Sequence, residues 1–349
     1  MKVCDSLRVS VIGSTGYGGM ELLRILKRHP EFQIASYVSS SQAGRPLNRS
    51  FPHMPQLTET FWDLDVKQIC DSADLIFFAT PAGVSKEYAP LFVEEGKIVI
   101  DLSGDFRLSD PGQYETWYQK PAADHKYLDM AVYGLSEWFS EELKTAQLIS
   151  NPGCYPTAAL LALLPLLKEK CLDPASVIID AKSGVTGAGR AARQQNLFSE
   201  INENLRPYKI SHHQHIPEIE QVASGLAGTD VRVQFVPHLV PMNRGILVTI
   251  YAQPLNKYTK ADLLQLYEET YAPEPFVRVL KDKWPETKAV QGSNFCDIGV
   301  QVDERTGRFV ILAAIDNLMK GAAGQAVQNA NIRMGCPVTA GLDMDPLYP

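Results

Sequence analysis

The run Val9-Ser10-Val11-Ile12-Gly13-Ser14-Thr15-Gly16-Tyr17-Gly18-Gly19-Met20-Glu21-Leu22-Leu23 decides the fold. An apolar strand ends on a glycine, two more glycines follow at three-residue steps, and a helical pattern begins. Gly13, Gly16 and Gly19 allow a tight strand-to-helix turn, and they let main-chain N–H groups approach a pyrophosphate at the positive helix end. The spacing is Gly-x-x-Gly-x-x-Gly, not the commoner Gly-x-Gly-x-x-Gly, and an ordinary tight loop also uses glycine. Its position between the first strand and the first helix favours dinucleotide binding through Gly13, Ser14, Thr15, Gly16, Tyr17, Gly18 and Gly19.

Outward from that turn the first half alternates strand and helix. Strands are predicted at Leu7–Ile12, Gln33–Val38, Leu75–Ala79 and Ile98–Leu102. The first helix, Gly19–Arg28, turns Leu22, Leu23, Ile25 and Leu26 inward. Near-continuous apolar strands separated by helices imply a doubly wound parallel sheet of Rossmann type. The second strand refines the cofactor. It is followed by Ser39-Ser40-Ser41-Gln42-Ala43-Gly44-Arg45, with no acid to hold a ribose diol. Ser39, Ser41 and Arg45 suit a 2′-phosphate, so NADP is favoured over NAD.

Beyond Ser150 the pattern changes. A leucine-rich helix runs from Thr157 to about Lys168, and strands are predicted at Val177–Ala181, Val231–Val236, Ile246–Tyr251, Phe295–Val302 and Phe309–Ala314. Several alternate in polarity, as in a mixed or antiparallel sheet with one covered face. A length of 349 residues suits two domains. The first is expected over 1–150, completed by a returning segment at about 317–349, and an α+β domain over 151–316. The last helix, Gly321–Met334, carries Ala322, Ala323, Ala326, Val327 and Ala330 at helical spacing. Thr186–Ile210 is polar and glycine-containing, as an active-site loop with a short helix would be.

A net charge of -7 without a basic run argues against nucleic acid. No apolar run approaches a membrane span of about 20 residues. Met1-Lys2-Val3-Cys4-Asp5 has no signal-peptide pattern. The six cysteines (Cys4, Cys70, Cys154, Cys171, Cys296 and Cys336) are scattered without a Cys-x-x-Cys pair, which reads as reduced thiols in a cytoplasmic protein.

One cysteine stands apart. Asn151-Pro152-Gly153-Cys154-Tyr155-Pro156-Thr157 precedes the leucine-rich helix. Cys154 therefore falls where unpaired N–H groups and the positive helix end stabilise a thiolate. Burial as a small hydrophobe suits Cys171 and Cys296 better, because Asn-Pro-Gly is a loop. Asn151 is placed to orient a substrate carbonyl beside main-chain donors. His212, His213 and His215 lack the spacing of a helical zinc site, so no metal is expected. A loop bringing one of them to the cysteine as base and acid is the better reading. Anion recognition falls to Arg107, which follows a strand end and either grips phosphate or pairs with Asp105. The loop Ser183–Arg190 and Arg244 add further anion contacts.

These motifs resemble the N-acetyl-gamma-glutamyl-phosphate reductases of arginine biosynthesis. The resemblance rests on residues 151–157, on His213-x-His215-x-Pro217-Glu218, and on Asp101-Leu102-Ser103-Gly104-Asp105-Phe106-Arg107-Leu108. It also rests on Tyr133-Gly134-Leu135-x-Glu137 and on Asn317-Leu318-x-Lys320-Gly321-Ala322-x-Gly324-Gln325-Ala326. It spans Val9 to about Leu342. It implies a Rossmann domain and a catalytic, dimerising α+β domain, as in aspartate-semialdehyde dehydrogenase, in a homodimer or homotetramer. It implies Cys154 as nucleophile, His213 as acid and base with His215 nearby, and a 317–329 segment lining the NADP site. Ser183, Arg190, His215, Glu218, Arg107, Asn151 and Arg244 are then the expected substrate contacts. Thr80, Pro81, Ser103, Gly187, Ala188, Asn317, Lys320 and Gly321 join the cofactor set. Gly18 departs from the family, which often has threonine there. The implied reaction proceeds through a Cys154 thioester that NADPH reduces to the semialdehyde. Reductases of aspartyl or aminoadipyl phosphate are the neighbouring alternatives, and a non-catalytic dinucleotide sensor is the alternative from another class.

Overall fold

The computed structural model describes residues 7–348, so Cys4 and the Met1–Asp5 start lie outside the described residues. The chain forms two compact units, Met1–Pro152 with Ala323–Leu342, and Gly153–Ala322 with Asp343–Pro349.

The first unit is built on β1 (Leu7–Ile12), β2 (Phe32–Val38), β3 (Leu75–Phe78), β4 (Ile98–Asp101), β5 (Val132–Tyr133) and β6 (Leu148–Ser150). They form one parallel sheet in the order β2-β1-β3-β4-β6-β5. All four residues of β3 are buried, as a central parallel strand covered on both faces requires. Helix α1 (Tyr17–Leu26) starts two residues earlier than its polarity pattern suggests. Leu22, Leu23, Ile25 and Leu26 are its buried side. Helix α2 (Ser85–Glu94) contributes Ala89, Phe92 and Val93 to the core beside Phe78 and Val99.

The second unit is organised around α3 (Cys154–Lys168). Every residue from Tyr155 to Leu167 in it is buried, as befits a helix apolar on all sides. Pro165 inside it has no N–H for the Leu161 carbonyl one turn earlier. The Tyr271 hydroxyl of α5 (Lys260–Tyr271) donates to that carbonyl, and Tyr267 donates to the Ala162 carbonyl. Two long-range side chains thus satisfy acceptors in the region the proline disrupts. The strands are β7 (Val177–Ser183), β8 (Arg206–Pro207), β9 (Val233–Leu239), β10 (Ile246–Ala252), β11 (Val277–Leu280), β12 (Cys296–Asp303) and β13 (Arg308–Ile315). Their order is β11-β12-β13-β10-β7-β9-β8, with parallel pairs β11–β12 and β7–β9 in an otherwise antiparallel sheet. Along β10, Ile246, Val248, Ile250 and Ala252 are buried, while Leu247, Thr249 and Tyr251 are half-buried. Period-two alternation leaves one face covered and the other open.

Helix α4 (His215–Ala227) opens with the histidine cluster. The chain passes through a π-turn at Met319–Ala323 into α6 (Gly324–Met334), later than the predicted start at Gly321. The 186–210 stretch holds two short 3-10 turns, a helix at Phe198–Ile201 and β8. Among the described residues, no helix is long and apolar enough to cross a membrane.

Candidate active site

In the first unit, the glycine turn is a main-chain cradle. Gly13 has φ +82°, and a Cβ there would stand 2.5 Å from the Ala79 carbonyl oxygen. A Cβ on Gly19 would stand 2.4 Å from the Gly13 carbonyl oxygen. Both positions therefore require glycine. Gly18 does not, because a Cβ there meets open space, so the family's threonine would fit without moving the turn. Ser14 is buried and donates from its hydroxyl to the Val38 carbonyl, pinning the turn to β2. Thr15, Ser39 and Ser41 line up as hydroxyls 3.4 Å apart. Arg45 is held by Gln42 through a 3.3 Å hydrogen bond. Pro81 follows Thr80, whose methyl faces Gly13 and whose buried hydroxyl has no hydrogen-bond partner among the described residues. A cradle closed to side chains, with an unsatisfied hydroxyl at its edge, fits a bound dinucleotide.

Beside this turn lies a network that the sequence reading did not foresee. Asp105 accepts from Gly83 N–H, Lys86 N–H, the Ser85 hydroxyl and the Tyr114 hydroxyl, so it caps α2 from a distance. Ser103 exchanges a 2.7 Å hydrogen bond with Ser85 and accepts from Asp105 N–H, which gives this expected cofactor contact a structural task. Burial, then the neighbouring Asp105 charge, push the Asp101 carboxyl up to about 6. Arg107 is buried and donates to the Asn151 and Leu102 carbonyls.

The Asn151 side chain is fully buried and accepts from Asn329, so within this unit it anchors α6. The Gly134 motif has the same purpose. Gln325 and Asn329 both donate to the Gly134 carbonyl, and Gln328 donates to Glu137. Gln325, Gln328 and Asn329 thus dock α6 against the Gly134–Glu137 stretch.

In the second unit, Cys154 is the first residue of α3, and Gly153 is its cap. The surroundings are cut to fit. A Cβ on Gly153 would stand 2.4 Å from His215 Nε2, and one on Gly321 would stand 2.9 Å from the Cys154 Cβ. Gly321 thus makes room for the cysteine. Glu218, fully buried on the first turn of α4, accepts from Gly153 N–H at 2.8 Å. It holds the cysteine's helix entry, where a substrate contact was expected.

His213 is only 3% exposed and stands within aromatic rings of Tyr155, Tyr208 and Phe235. Its Nδ1 accepts from His215 N–H at 3.1 Å. Burial, reinforced by the positive charge of Lys209, depresses its pKa to about 3. Tyr208 donates to the Tyr155 hydroxyl at 3.2 Å, and burial pushes both phenols well up. The sequence offered one faint signal for Tyr208 and Tyr155, their closeness to the His213 and Cys154 motifs.

The remaining expected contacts divide. Ser183 ends β7, and its Oγ lies 3.0 Å from where a Gly187 Cβ would be, in the turn that holds Ala188. Asn317 donates to Thr186 and accepts from Gly245 N–H, which ties that turn to the start of β10. Arg190 is exposed on the following loop. Arg244 forms a 3.3 Å ion pair with the fully buried Asp316, a structural role where substrate binding was expected. Lys320 is fully buried with its ammonium over the Phe276 ring.

Two family descriptions match the chain, "Semialdehyde dehydrogenase, NAD binding domain" at residues 8–146 and "Semialdehyde dehydrogenase, dimerisation domain" at residues 154–317. A protein of Geobacillus sp. named N-acetyl-gamma-glutamyl-phosphate reductase is 51% identical over 98% of this chain and 100% of its own length. The chain belongs to the N-acetyl-gamma-glutamyl-phosphate reductase family. A member from Brevibacillus brevis is 52% identical over the same shares. Among solved structures, aspartate semialdehyde dehydrogenase II of Vibrio cholerae superposes with a TM-score of 0.71 at 16% identity, covering 95% of this chain and 99% of that one. The Candida albicans aspartate semialdehyde dehydrogenase with NADP gives 0.69 at 17%, over 97% and 99%. These last two share the fold of this reductase family.

Proposed function

We propose that this chain reduces N-acetyl-gamma-glutamyl phosphate to N-acetyl-glutamate 5-semialdehyde, with release of phosphate, in arginine biosynthesis. The observation that carries the reading is a half-buried cysteine at the first position of a buried helix, with glycine at both places where a side chain would crowd it or its histidine neighbour. Relatives about half identical over their whole length bear the same name.

Cys154 is the nucleophile. The positive end of α3 favours its thiolate, and Glu218 fixes the Gly153 peptide so that the sulfur's direction is set. Attack on the acyl carbonyl expels phosphate and leaves a thioester on Cys154. NADPH, when bound, supplies the hydride that takes the acyl group to the aldehyde level. Gly13 to Gly19 with Thr80 would hold its pyrophosphate, and Thr15, Ser39, Ser41 and Arg45 its 2′-phosphate. His215 lies against Gly153 at the cysteine's helix entry, His213 packs on Tyr155 and His215, and His213 is the candidate acid and base for the acyl oxygen. Arg107, Arg190 and Ser183 are the candidates for the substrate's anionic groups. The working form is a homodimer or homotetramer in the cytoplasm, assembled through the open face of the seven-stranded sheet.

The decisive assay is the reverse reaction. Phosphate-dependent oxidation of N-acetyl-glutamate 5-semialdehyde should proceed with NADP and far more slowly with NAD. Aspartate semialdehyde and the one-carbon-longer semialdehyde should be poorer substrates, the latter by the ~1–3 kcal/mol that one methylene commands. No turnover of the N-acetylated substrate would refute the proposal.

A further inference from the structure

We propose that Asp105 and Lys120 are positioning residues for the dinucleotide. Each clamps one end of the Ala82–Gly83 peptide, and the clamped loop is the wall that receives the nicotinamide half of NADPH. The inference rests on the reductase reading above for the identity of the cofactor.

The loop follows β3. The chain goes from β1 out to β2, then returns to lay β3 on the opposite side of β1. An open parallel sheet takes its ligand at such a reversal, over the carboxyl ends of its strands. The reversal sets Ala79 and Thr80 against the glycine turn. A Cβ on Gly13 would stand 2.5 Å from the Ala79 carbonyl oxygen and 3.1 Å from the Thr80 methyl. The Thr80 hydroxyl is buried there without a hydrogen-bond partner among the described residues. Ser39, Ser41 and Arg45 follow β2, on the other flank of β1. A dinucleotide with its 2′-phosphate on that flank and its pyrophosphate over the turn extends its nicotinamide towards the 80–85 loop.

One peptide of this loop is gripped at both ends. The Gly83 N–H donates to both oxygens of Asp105, at 2.7 and 2.8 Å. The Ala82 carbonyl, the other end of the same peptide, accepts from the Lys120 ammonium. An anion on the N–H and a cation on the oxygen together oppose rotation of the peptide plane. Gly83 accordingly sits at φ +97°, where glycine alone is at ease. Asp105 is fully buried and also accepts from the Ser85 hydroxyl, the Lys86 N–H and the Tyr114 hydroxyl. Tyr114 lies on the helix Pro111–Tyr118, just ahead of Lys120, and the Lys86 ammonium donates to the Pro121 carbonyl at 2.7 Å. The clamp thus ties the loop both to the start of α2 and to the 111–121 segment.

Asp105 acts on the cofactor through the loop and not by contact, because its oxygens are buried and taken by these donors. A loop that the incoming cofactor had to order would subtract that entropy from the affinity, and a loop fixed beforehand does not. An asparagine at 105 would turn its NH2 towards groups that also donate, whichever oxygen it replaced. The Gly83 peptide would then lose its hold on one side. Lys120 is exposed, so its share of the clamp is screened and smaller.

The test uses the full-length enzyme and two ligands, NADPH and 2′,5′-ADP, which carries the 2′-phosphate but no nicotinamide. Asp105→Asn should weaken NADPH binding about tenfold by calorimetry, and Lys120→Met, which keeps the aliphatic stem, about threefold. Both should bind 2′,5′-ADP as the wild type does, a difference that general loosening of the unit would not produce. Because the two groups hold one peptide, the double variant should lose less than the product of the single losses. Unchanged NADPH affinity in the folded variants, equal losses for the two ligands, or a double variant that multiplies the single losses would overturn the proposal. Should Asp105→Asn fail to fold, the surface variant Lys120→Met decides by the same comparison of ligands. A wild-type enzyme that binds NADPH but does not oxidise N-acetyl-glutamate 5-semialdehyde would sink the reductase reading and leave the clamp to be judged by binding alone.

Discussion

The glycine turn and the cysteine pocket do related work with different materials. The turn is main chain. Two glycines come so close to neighbouring carbonyls that a single Cβ at either would collide with backbone. The pocket is side chain, with Tyr155, Tyr208, Phe235 and two histidines brought together from four helix and strand segments next to Cys154's helix start. A site made of backbone tolerates no added Cβ where main chain meets main chain, as at Gly13 and Gly19, but is spelled out in one short run. A site made of side chains is assembled from distant segments, and each can be exchanged one group at a time.

That contrast can be attacked directly. Cys154→Ala should reduce turnover by on the order of 10⁴-fold or more while leaving NADPH affinity, measured by fluorescence titration, unchanged. Turnover surviving in a folded variant would mean that the pocket does not work through its sulfur. Gly19→Ala should do the opposite and weaken NADPH binding, with about 1–3 kcal/mol of overpacking as its physical basis. Gly18→Ala, one residue away in open space, should bind normally and raise helix stability by about 0.5–1 kcal/mol. Equal losses in the two glycine variants would show that the turn is not a steric cradle.

Stability should respond to pH through the pocket. The His213 pKa is about 3 in the folded state against 6.5 for the free group. A depressed folded value means the stabilisation is complete above pH 6.5 and is lost as pH falls from 6.5 towards 3. The slope this histidine contributes is about 1.4 kcal/mol per pH unit in the middle of that window. His29 in the first unit, lowered chiefly by burial and bonded to Asn331, acts in the same direction. Denaturant melts of wild type and His213→Gln between pH 7 and 5 should differ in slope, and parallel curves would deny the shift. The smallest effect is expected at the turn's rim. Arg45→Ala should cost roughly tenfold in NADPH affinity, about 1.4 kcal/mol, and nothing in NADH affinity.

Much of the fold was legible because long apolar strands announce themselves. β1 falls on Leu7–Ile12 as read, β2, β3, β4 and β10 differ by a residue at one end, and β12 and β13 by a residue at both. The strands missed in the first half, Val132–Tyr133 and Leu148–Ser150, are too short to show a period. β9 begins at Val233 instead of Val231, because alternation marks the faces of a strand and not where pairing starts. At the candidate site, the placement of Cys154 at a helix start and the tight turn at Gly13–Gly19 were readable. The Arg244–Asp316 ion pair and the burial of Lys320 against Phe276 were not readable, because a positive side chain in a loop motif looks the same in sequence whatever it meets.

The primary structure by itself determined the strand-turn-helix at Gly13–Gly19, the parallel character of the first sheet, and a cysteine at a helix start. Each depends on bonded geometry and on contacts within a few residues. Tertiary structure alone decided that Glu218 grips Gly153, that Gly321 yields space to Cys154, and that His215 N–H donates to Nδ1 of His213. Those outcomes depend on which groups meet across the folded chain, and a hydrogen bond or a steric limit has no existence until both partners are in place.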